Sequence, residues 1–302
     1  MLTLQKDEIL DIEVETSTIC QADCPLCFRN YKVFEKVYPK SIQRPIEDII
    51  NQLNEYPNLE WVRLVGSVSE PTIYKDFFKL CEYLKNRDVN IEICTNGDTH
   101  NPEWWKKLGK ILDEQDRVFF TICGSNQELH ETYRKGTNLK NILENAKALR
   151  EVNPIDYAQC IRFDYNNDDF NSKEFKEVVG KFSNIYWTET FLKKSEDNYT
   201  NTKNLEKLKP NPKKIKSYLM IEKIADKRKL NSKADCKSLN DKSQIIDING
   251  NVYPCYLFME WMEGKKWDGD YQKIIDMKYE VCKFCEKGIV KMLENADLTY
   301  II

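Results

Sequence analysis

Cys20, Cys24 and Cys27 fall within one short run, Cys20-Gln21-Ala22-Asp23-Cys24-Pro25-Leu26-Cys27, directly after a predicted strand. Three thiolates at C-x3-C-x2-C spacing can grip three corners of an iron–sulfur cube and leave the fourth iron open. Zinc ribbons and disulfide frameworks usually complete their ligand count. A metal set left one ligand short is suited to chemistry as well as stability. Three buried or zinc-bound cysteines would be the inert alternative.

A second group, Cys236, Cys255, Cys282 and Cys285, lies far along the chain as C-x13-G-x4-C followed by C-x2-C, with Gly250 as the glycine. A hairpin bearing Cys255 and a helix bearing the C-x2-C pair could close four thiolates around one metal centre. A cluster and a tetrahedral zinc ion would use the same residues. Cys81, Cys94 and Cys160 sit in amphipathic or apolar runs and read as core.

The elements that must position these groups follow from periodicity. Short apolar runs alternate with amphipathic stretches, which is the pattern of βα units and a parallel sheet. Strands are predicted over 11–17, 60–66, 90–95, 117–123, 157–163 and 184–190. Helices are predicted over 45–55, 73–87, 102–113, 138–151 and 172–182, with Asn101 as a cap and Pro102 in a first turn. Six strands before the rhythm breaks make an open, partial barrel of six βα units. The cysteine loop then lies at the C-terminal edge of the sheet, where active sites of such barrels collect.

The expected division is a barrel over 1–192, a connector over 193–233 and a small α+β domain over 234–302. From Asn201 to Lys237 there are twelve Lys/Arg against four Asp/Glu. A solvated helix over 213–229 accounts for this run, and a surface for phosphates or acidic partners is the alternative. The last unit opens with a hairpin, 244–248 and 251–255, around Asn249-Gly250, and closes with a helix over 282–295.

Bulk numbers narrow the classes. A chain of 302 residues with 41% hydrophobic residues can build a sizeable core. A formal net charge of −3 argues against a protein that coats nucleic acid. The first eleven residues lack the apolar core of a signal peptide, and no run is long enough to span a membrane. A cytoplasmic location is expected, where eleven cysteines are thiols and metal ligands rather than disulfides.

The first cysteine run resembles the signature of the radical S-adenosylmethionine (radical SAM) superfamily, C-x3-C-x-φ-C, with Leu26 where many members carry an aromatic residue. Pro25, Arg29 and Asn30 resemble a branch that continues C-P-x-C-x-R-N. Further similar turns follow in order. Gly66-Ser67-Val68-Ser69-Glu70-Pro71 looks like the family's glycine-rich turn after strand two, and Thr95-Asn96-Gly97 looks like its turn after strand three. Each pair is common in ordinary loops, but their order at successive strand ends is specific.

The resemblance implies a [4Fe–4S] cluster on Cys20, Cys24 and Cys27, with SAM as partner of the open iron. It implies that Gly66 and Ser67 receive the methionine ammonium, with Glu70 sharing that role or steadying the turn. Asn96 would stand near SAM, Thr121 would contact it, and Arg134 and Asn166 would serve its carboxylate and ribose. Cys123 takes an inward place often held by Asp, as a hydrogen donor to a substrate radical or as lining. Glu13 and Glu15 point into the mouth, or form a polar face capped by loops. The second cysteine group resembles the twitch domain, a shortened SPASM domain holding one auxiliary [4Fe–4S] cluster.

The implied activity is reductive cleavage of SAM and hydrogen abstraction from a small polar substrate such as a sugar or aminoglycoside, by dehydrogenation or epimerisation. A reductant such as flavodoxin or ferredoxin would supply the electron. A peptide substrate is the second reading, although only about ten residues precede strand one, too few for a leader-binding extension. A nucleic-acid substrate has only the basic connector in its favour. A non-catalytic iron–sulfur or zinc module is the reading from another class.

Overall fold

A computed structural model describes residues 3–30, 36–189, 208, 237–255, 259 and 265–269. Six parallel strands form as the alternation requires: β1 Asp11–Val14, β2 Trp61–Leu64, β3 Asn90–Thr95, β4 Arg117–Ile122, β5 Asp156–Arg162 and β6 Asn184–Glu189. Between them lie α1 Ile46–Leu53, α2 Phe77–Lys85, α3 Pro102–Ile111, α4 Gln127–Tyr133, α5 Leu139–Arg150 and α6 Lys173–Val179. After β6 the described chain adds α7 Lys237–Asn240 and the strands β7 Ser243–Ile246 and β8 Val252–Tyr253. The sheet order is β6-β5-β4-β3-β2-β1-β7-β8. The result is an α/β fold with an open, partial barrel.

The two-residue period of a strand sorts each side chain to a face. Ile12, Val14, Val62, Leu64, Ile91, Ile93, Val118, Phe120, Ile122 and Ala158 are buried in one continuous core with the helices. The alternate positions form the concave face. There the register aligns Glu13 with Arg63, Arg63 with Glu92, and Glu92 with Arg117, a row of alternating charge across four strands. Arg63 pairs with Asp11, and Arg117 stacks over Trp61 at 4.6 Å. Further across, Phe119, Tyr157 and Tyr186 make ring contacts at 4.7 and 5.5 Å.

Caps fix the helix starts. Asn101, Asn126, Asn138 and Ser172 each accept a hydrogen bond from the backbone N–H three residues on. Helix α4 is absent from the sequence expectation because Gln127–Tyr133 shows no apolar period; the Asn126 cap is the signal that marks it. The expected helix over 73–87 begins instead with a 3-10 turn, Pro71–Ile73, and its α-helical part starts at Phe77.

The hairpin around Gly250 forms, with β7 and β8 antiparallel. Its first strand also pairs in parallel with β1, from Asp11 opposite Ser243 to Val14 opposite Ile246. The hairpin therefore extends the barrel's own sheet. The connector helix over 213–229, the closing helix over 282–295, and Cys236, Cys282 and Cys285 lie outside the described residues. Among those residues, no helix is long and apolar enough to cross a membrane.

Candidate functional site

The loop leaving β1 is held from three sides. Glu70 N–H donates to the Ile19 carbonyl at 2.8 Å, and Asp23 N–H donates to the Lys135 carbonyl at 2.9 Å. Gln21 reaches Asn96 after β3, its Nε2 donating to Asn96 Oδ1 at 2.8 Å. Within the loop, Arg29 Nη1 donates to the Ala22 carbonyl at 3.1 Å and Asn30 Nδ2 to the Cys24 carbonyl at 3.0 Å. Arg29 and Asn30 thus build the loop that presents the thiols.

Cys20 and Cys27 are half-buried and Cys24 is buried. Burial is the first cause pushing the Cys20 thiol up to about 12 and the Cys27 thiol up to about 11, because a thiolate in that setting loses its hydration. A coordinating metal reverses this by deprotonating its thiol ligands. Arg134 Nη1 lies 3.7 Å from Cys24 Sγ, and Asn96 Nδ2 lies 3.9 Å from Cys20 Sγ. Among the described residues, no group of three or more His, Cys, Asp or Glu side chains is arranged to hold a metal ion. A cube, whose irons occupy separate corners, accepts sulfurs set further apart than one ion does. Three soft donors on one loop, with N–H groups aimed at two of them, fit that group.

The turn after β2 owes its shape to Gly66, at φ +66°, where an added Cβ would stand 2.4 Å from the Ser69 carbonyl oxygen. Two carboxylates from the first βα unit support it. Glu15 Oε1 accepts from Ser67 N–H at 2.5 Å and Val68 N–H at 3.3 Å, and Glu15 Oε2 from the Ser69 hydroxyl at 3.3 Å. Glu13 Oε1 accepts from the Ser67 hydroxyl at 3.0 Å. Burial, then the Glu13 charge, pushes the Glu15 carboxyl up to about 8, and burial raises Glu13. Glu15 is thus tucked under the turn, and Glu13 faces the barrel with Arg63 beside it in register.

Glu70 is 2% exposed, and both of its oxygens are engaged. Oε1 accepts from the Thr72 and Thr95 hydroxyls at 2.7 and 2.6 Å, and Oε2 accepts from Asn96 N–H at 2.8 Å. It joins the turn after β2 to the turn after β3. Asn166 is likewise turned inward: Oδ1 accepts from Phe163 N–H at 2.8 Å, while Nδ2 donates to the Ile161 and Cys123 carbonyls at 3.0 and 3.1 Å.

At the head of β4, Arg134 Nη2 donates to the Thr121 hydroxyl at 2.6 Å, so one guanidinium spans Thr121 and Cys24. Arg134 Nε is buried with no partner in the protein, a donor left over in a pocket of thiols. Cys123 is fully buried next to this group, and burial pushes its thiol up to about 12. His130 lies under it, with Nδ1 accepting from Cys123 N–H at 3.3 Å and Nε2 3.0 Å from the Thr137 hydroxyl. Burial, then the Arg134 charge, holds His130 down to about 3, so the ring is neutral.

Cys20, Cys24, Asn96, Thr121 and Arg134 therefore meet at one edge of the sheet, with the Gly66–Glu70 turn beside them. Gln21 and His130 are the members that sequence reasoning missed. Gln21 sits inside the cysteine spacing and could have been suspected from that place alone; His130 lies in a polar heptapeptide that gives no signal.

Comparison with known proteins bears on the family and the fold. The family model described as the radical SAM superfamily matches residues 14–162. The chain is similar to a 7,8-dihydro-6-hydroxymethylpterin dimethyltransferase of Methanocaldococcus jannaschii, 22% identical over 276 residues that cover 82% of this chain and 53% of the relative. It thus spans about half the length of that relative. Its fold resembles Streptococcus suis SuiB bound to the precursor peptide SuiA, with TM-score 0.61, 16% identity and coverage of 95% of this chain and 73% of SuiB. It also resembles anSMEcpe with bound AdoMet, with TM-score 0.56, 17% identity and coverage of 93% and 78%. The matched segment carries the three-cysteine loop, the Gly66–Glu70 turn and the Thr95–Gly97 turn, and through it this chain contains a domain of the radical SAM superfamily.

Proposed function

We propose that this protein cleaves SAM reductively at a [4Fe–4S] cluster held by Cys20, Cys24 and Cys27, and that it removes a hydrogen atom from a small polar substrate. The observation that carries this reading is convergence: the turns after β2 and β3 and the end of α4 each bond to the cysteine loop, through Glu70, Asn96 and Arg134. When bound, the cluster and SAM supply one-electron scission of a C–S bond, giving methionine and a 5′-deoxyadenosyl radical.

The chain's own residues orient and exclude. Backbone groups of Gly66 and Ser67, on a turn stiffened by Glu15, would receive the methionine ammonium. Thr121 and Arg134 would take its carboxylate, and Asn166 would shape the ribose side by fixing the Cys123 carbonyl. The concave face supports the substrate class. Glu13, Arg63, Glu92 and Arg117 offer hydrogen-bonding charge beside the rings of Phe119, Tyr157 and Tyr186, a pairing suited to a hydroxyl- or amine-bearing molecule such as a sugar or aminoglycoside. Dehydrogenation would follow if the substrate radical gives one electron to the auxiliary cluster and one proton to a base or solvent, and epimerisation if it takes back a hydrogen atom from a donor such as a thiol. Cys255, with Cys236, Cys282 and Cys285, would hold the auxiliary cluster, and a flavodoxin or ferredoxin would deliver the electron.

The fold likeness to SuiB, solved with a precursor peptide, favours a peptide as second reading. The test is anaerobic reconstitution followed by SAM and dithionite. Formation of 5′-deoxyadenosine, lost in Cys24→Ala, supports the activity, and its absence from the iron-loaded protein sinks it. Two cubes predict eight irons per chain, whereas four irons and one zinc would replace the auxiliary cluster by a zinc site. Deuterium transfer into 5′-deoxyadenosine from labelled aminoglycosides or from labelled peptides separates the two substrate readings.

A further inference from the structure

The side chain of Asn96, expected near SAM, bonds to the cysteine loop. Gln21 and Asn96 form a reciprocal amide pair: Gln21 Nε2 donates to Asn96 Oδ1 at 2.8 Å, and Asn96 Nδ2 donates to Gln21 Oε1 at 3.2 Å. Two opposed hydrogen bonds fix both amide planes. Asn96 is further held by its own N–H on Glu70 Oε2 at 2.8 Å and by Asp98 N–H on its Oδ1 at 3.0 Å, and it is 4% exposed. An amide nitrogen has two hydrogens to give. One goes to Gln21; the other faces Cys20 Sγ, 3.9 Å from the nitrogen.

We propose that Asn96, clamped by Gln21, is a positioning residue that aims an N–H at the Cys20 sulfur and so raises the reduction potential of the cluster. The inference rests on the reading of Cys20 as a cluster ligand. Its physical basis is that reduction adds negative charge which spreads onto the thiolate sulfurs. A donor already pointed at a sulfur stabilises the reduced form more than the oxidised one. Cys24 receives the comparable attention of Arg134, so the N–H groups at two of the three sulfurs come from the turn after β3 and from the end of α4.

Two measurements test the pair. In the metal-free protein, melting temperatures of Gln21→Leu, Asn96→Ala and the double variant form a cycle. The double variant should lose clearly less than the two singles added together, and additive losses would overturn the clamp. Gln21 is exposed, so Gln21→Leu keeps the fold even where changes at buried Asn96 prove costly.

In the reconstituted protein, EPR-monitored titration gives the midpoint potential. Asn96→Asp replaces the N–H by an oxygen and adds charge, and should shift the midpoint to more negative values. Gln21→Leu should shift it in the same direction by less. An unchanged midpoint in both variants overturns the inference. A wild-type protein that takes up no iron would overturn the ligand reading itself, so the two failures are told apart.

Discussion

Tyr38 donates its hydroxyl to Asp247 Oδ2 at 3.0 Å, joining the chain after β1 to the hairpin 209 residues later. Asp247 also accepts from the Tyr253 hydroxyl at 3.3 Å and from the N–H groups of Asn249 and Asn251 at 2.9 and 2.8 Å. Arg44 Nη1 approaches the Asp247 carbonyl at 3.4 Å. One buried carboxylate thus closes the Gly250 turn and moors the strand that lies beside β1. Because Cys255 follows β8 directly, the same mooring sets where that thiol stands relative to the barrel.

Asp247→Ala should strand several buried donors at once, each costing about 1–3 kcal/mol when left unpaired. A total loss of about 3 kcal/mol or more is expected in urea denaturation, with Asp247→Asn milder because one oxygen remains. A loss under about 1 kcal/mol would show that the hairpin is held by its strand pairing alone.

Glu70 offers a sharper substitution. Glu70→Gln keeps Oε1 for the two threonine hydroxyls but turns an NH2 group toward Asn96 N–H, donor against donor. We expect about 1–3 kcal/mol of destabilisation from that single clash, and weaker SAM binding by calorimetry because the turns after β2 and β3 separate. Glu70→Gln with unaltered SAM affinity would mean that the two turns hold their places without this carboxylate.

Much of this was legible in the residues. The strand β3 falls on 90–95 as periodicity requires, because its alternation of Ile91 and Ile93 with polar neighbours is unbroken. Strands β1, β2 and β4 end before the sequence pattern does, since residues 15–17, 65–66 and 123 leave the ladder to form the loops that carry the site. The three cysteines and the two turns point by their order to one edge of the sheet, and the structure brings them together there. What spacing could not convey is which polar atoms already have partners: Glu70 reads as a ligand contact or as a steadying residue and Asn166 as a ribose contact, and only the structure gives the bonds each makes within the protein. The pairing of β7 with β1 was equally hidden, because a hairpin's own pattern says nothing of the strand on its far side.

Two buried groups give the protein opposed pH responses. Glu15 keeps its proton up to about 8, against an ordinary 4.5, so the unfolded chain loses a proton that the folded one retains. Stability is full below 4.5 and falls as pH rises through 8. His130 titrates near 3 against 6.5, so it contributes stability above 6.5 that is lost as pH falls toward 3. The two slopes oppose between 4.5 and 6.5, and above 6.5 the Glu15 slope is left alone of the pair. From pH 6.5 to 8 the metal-free protein should lose about 2 kcal/mol, at roughly 1.4 kcal/mol per pH unit. Glu15→Gln, which keeps an acceptor for Ser67 N–H, should flatten that fall. An identical fall in the variant would assign it to other groups.

Cys123 tests how burial bears on radical chemistry. A thiol that hands a hydrogen atom to a substrate radical must be protonated and must touch the substrate. Cys123 meets the first condition, since burial holds its thiol at about 12. Against the second, it is 0% exposed, with Arg134 beside it and its backbone fixed by His130 and Asn166. Burial weighs toward lining, with the hydrogen delivered by another group or not returned at all. Cys123→Ala should then cost about 1 kcal/mol of stability, as expected for a small void in a packed interior. Product formation and solvent-deuterium incorporation should stay at the wild-type level. If instead 5′-deoxyadenosine still forms while deuterated product disappears, Cys123 is the donor, and Arg134 must move aside when substrate binds.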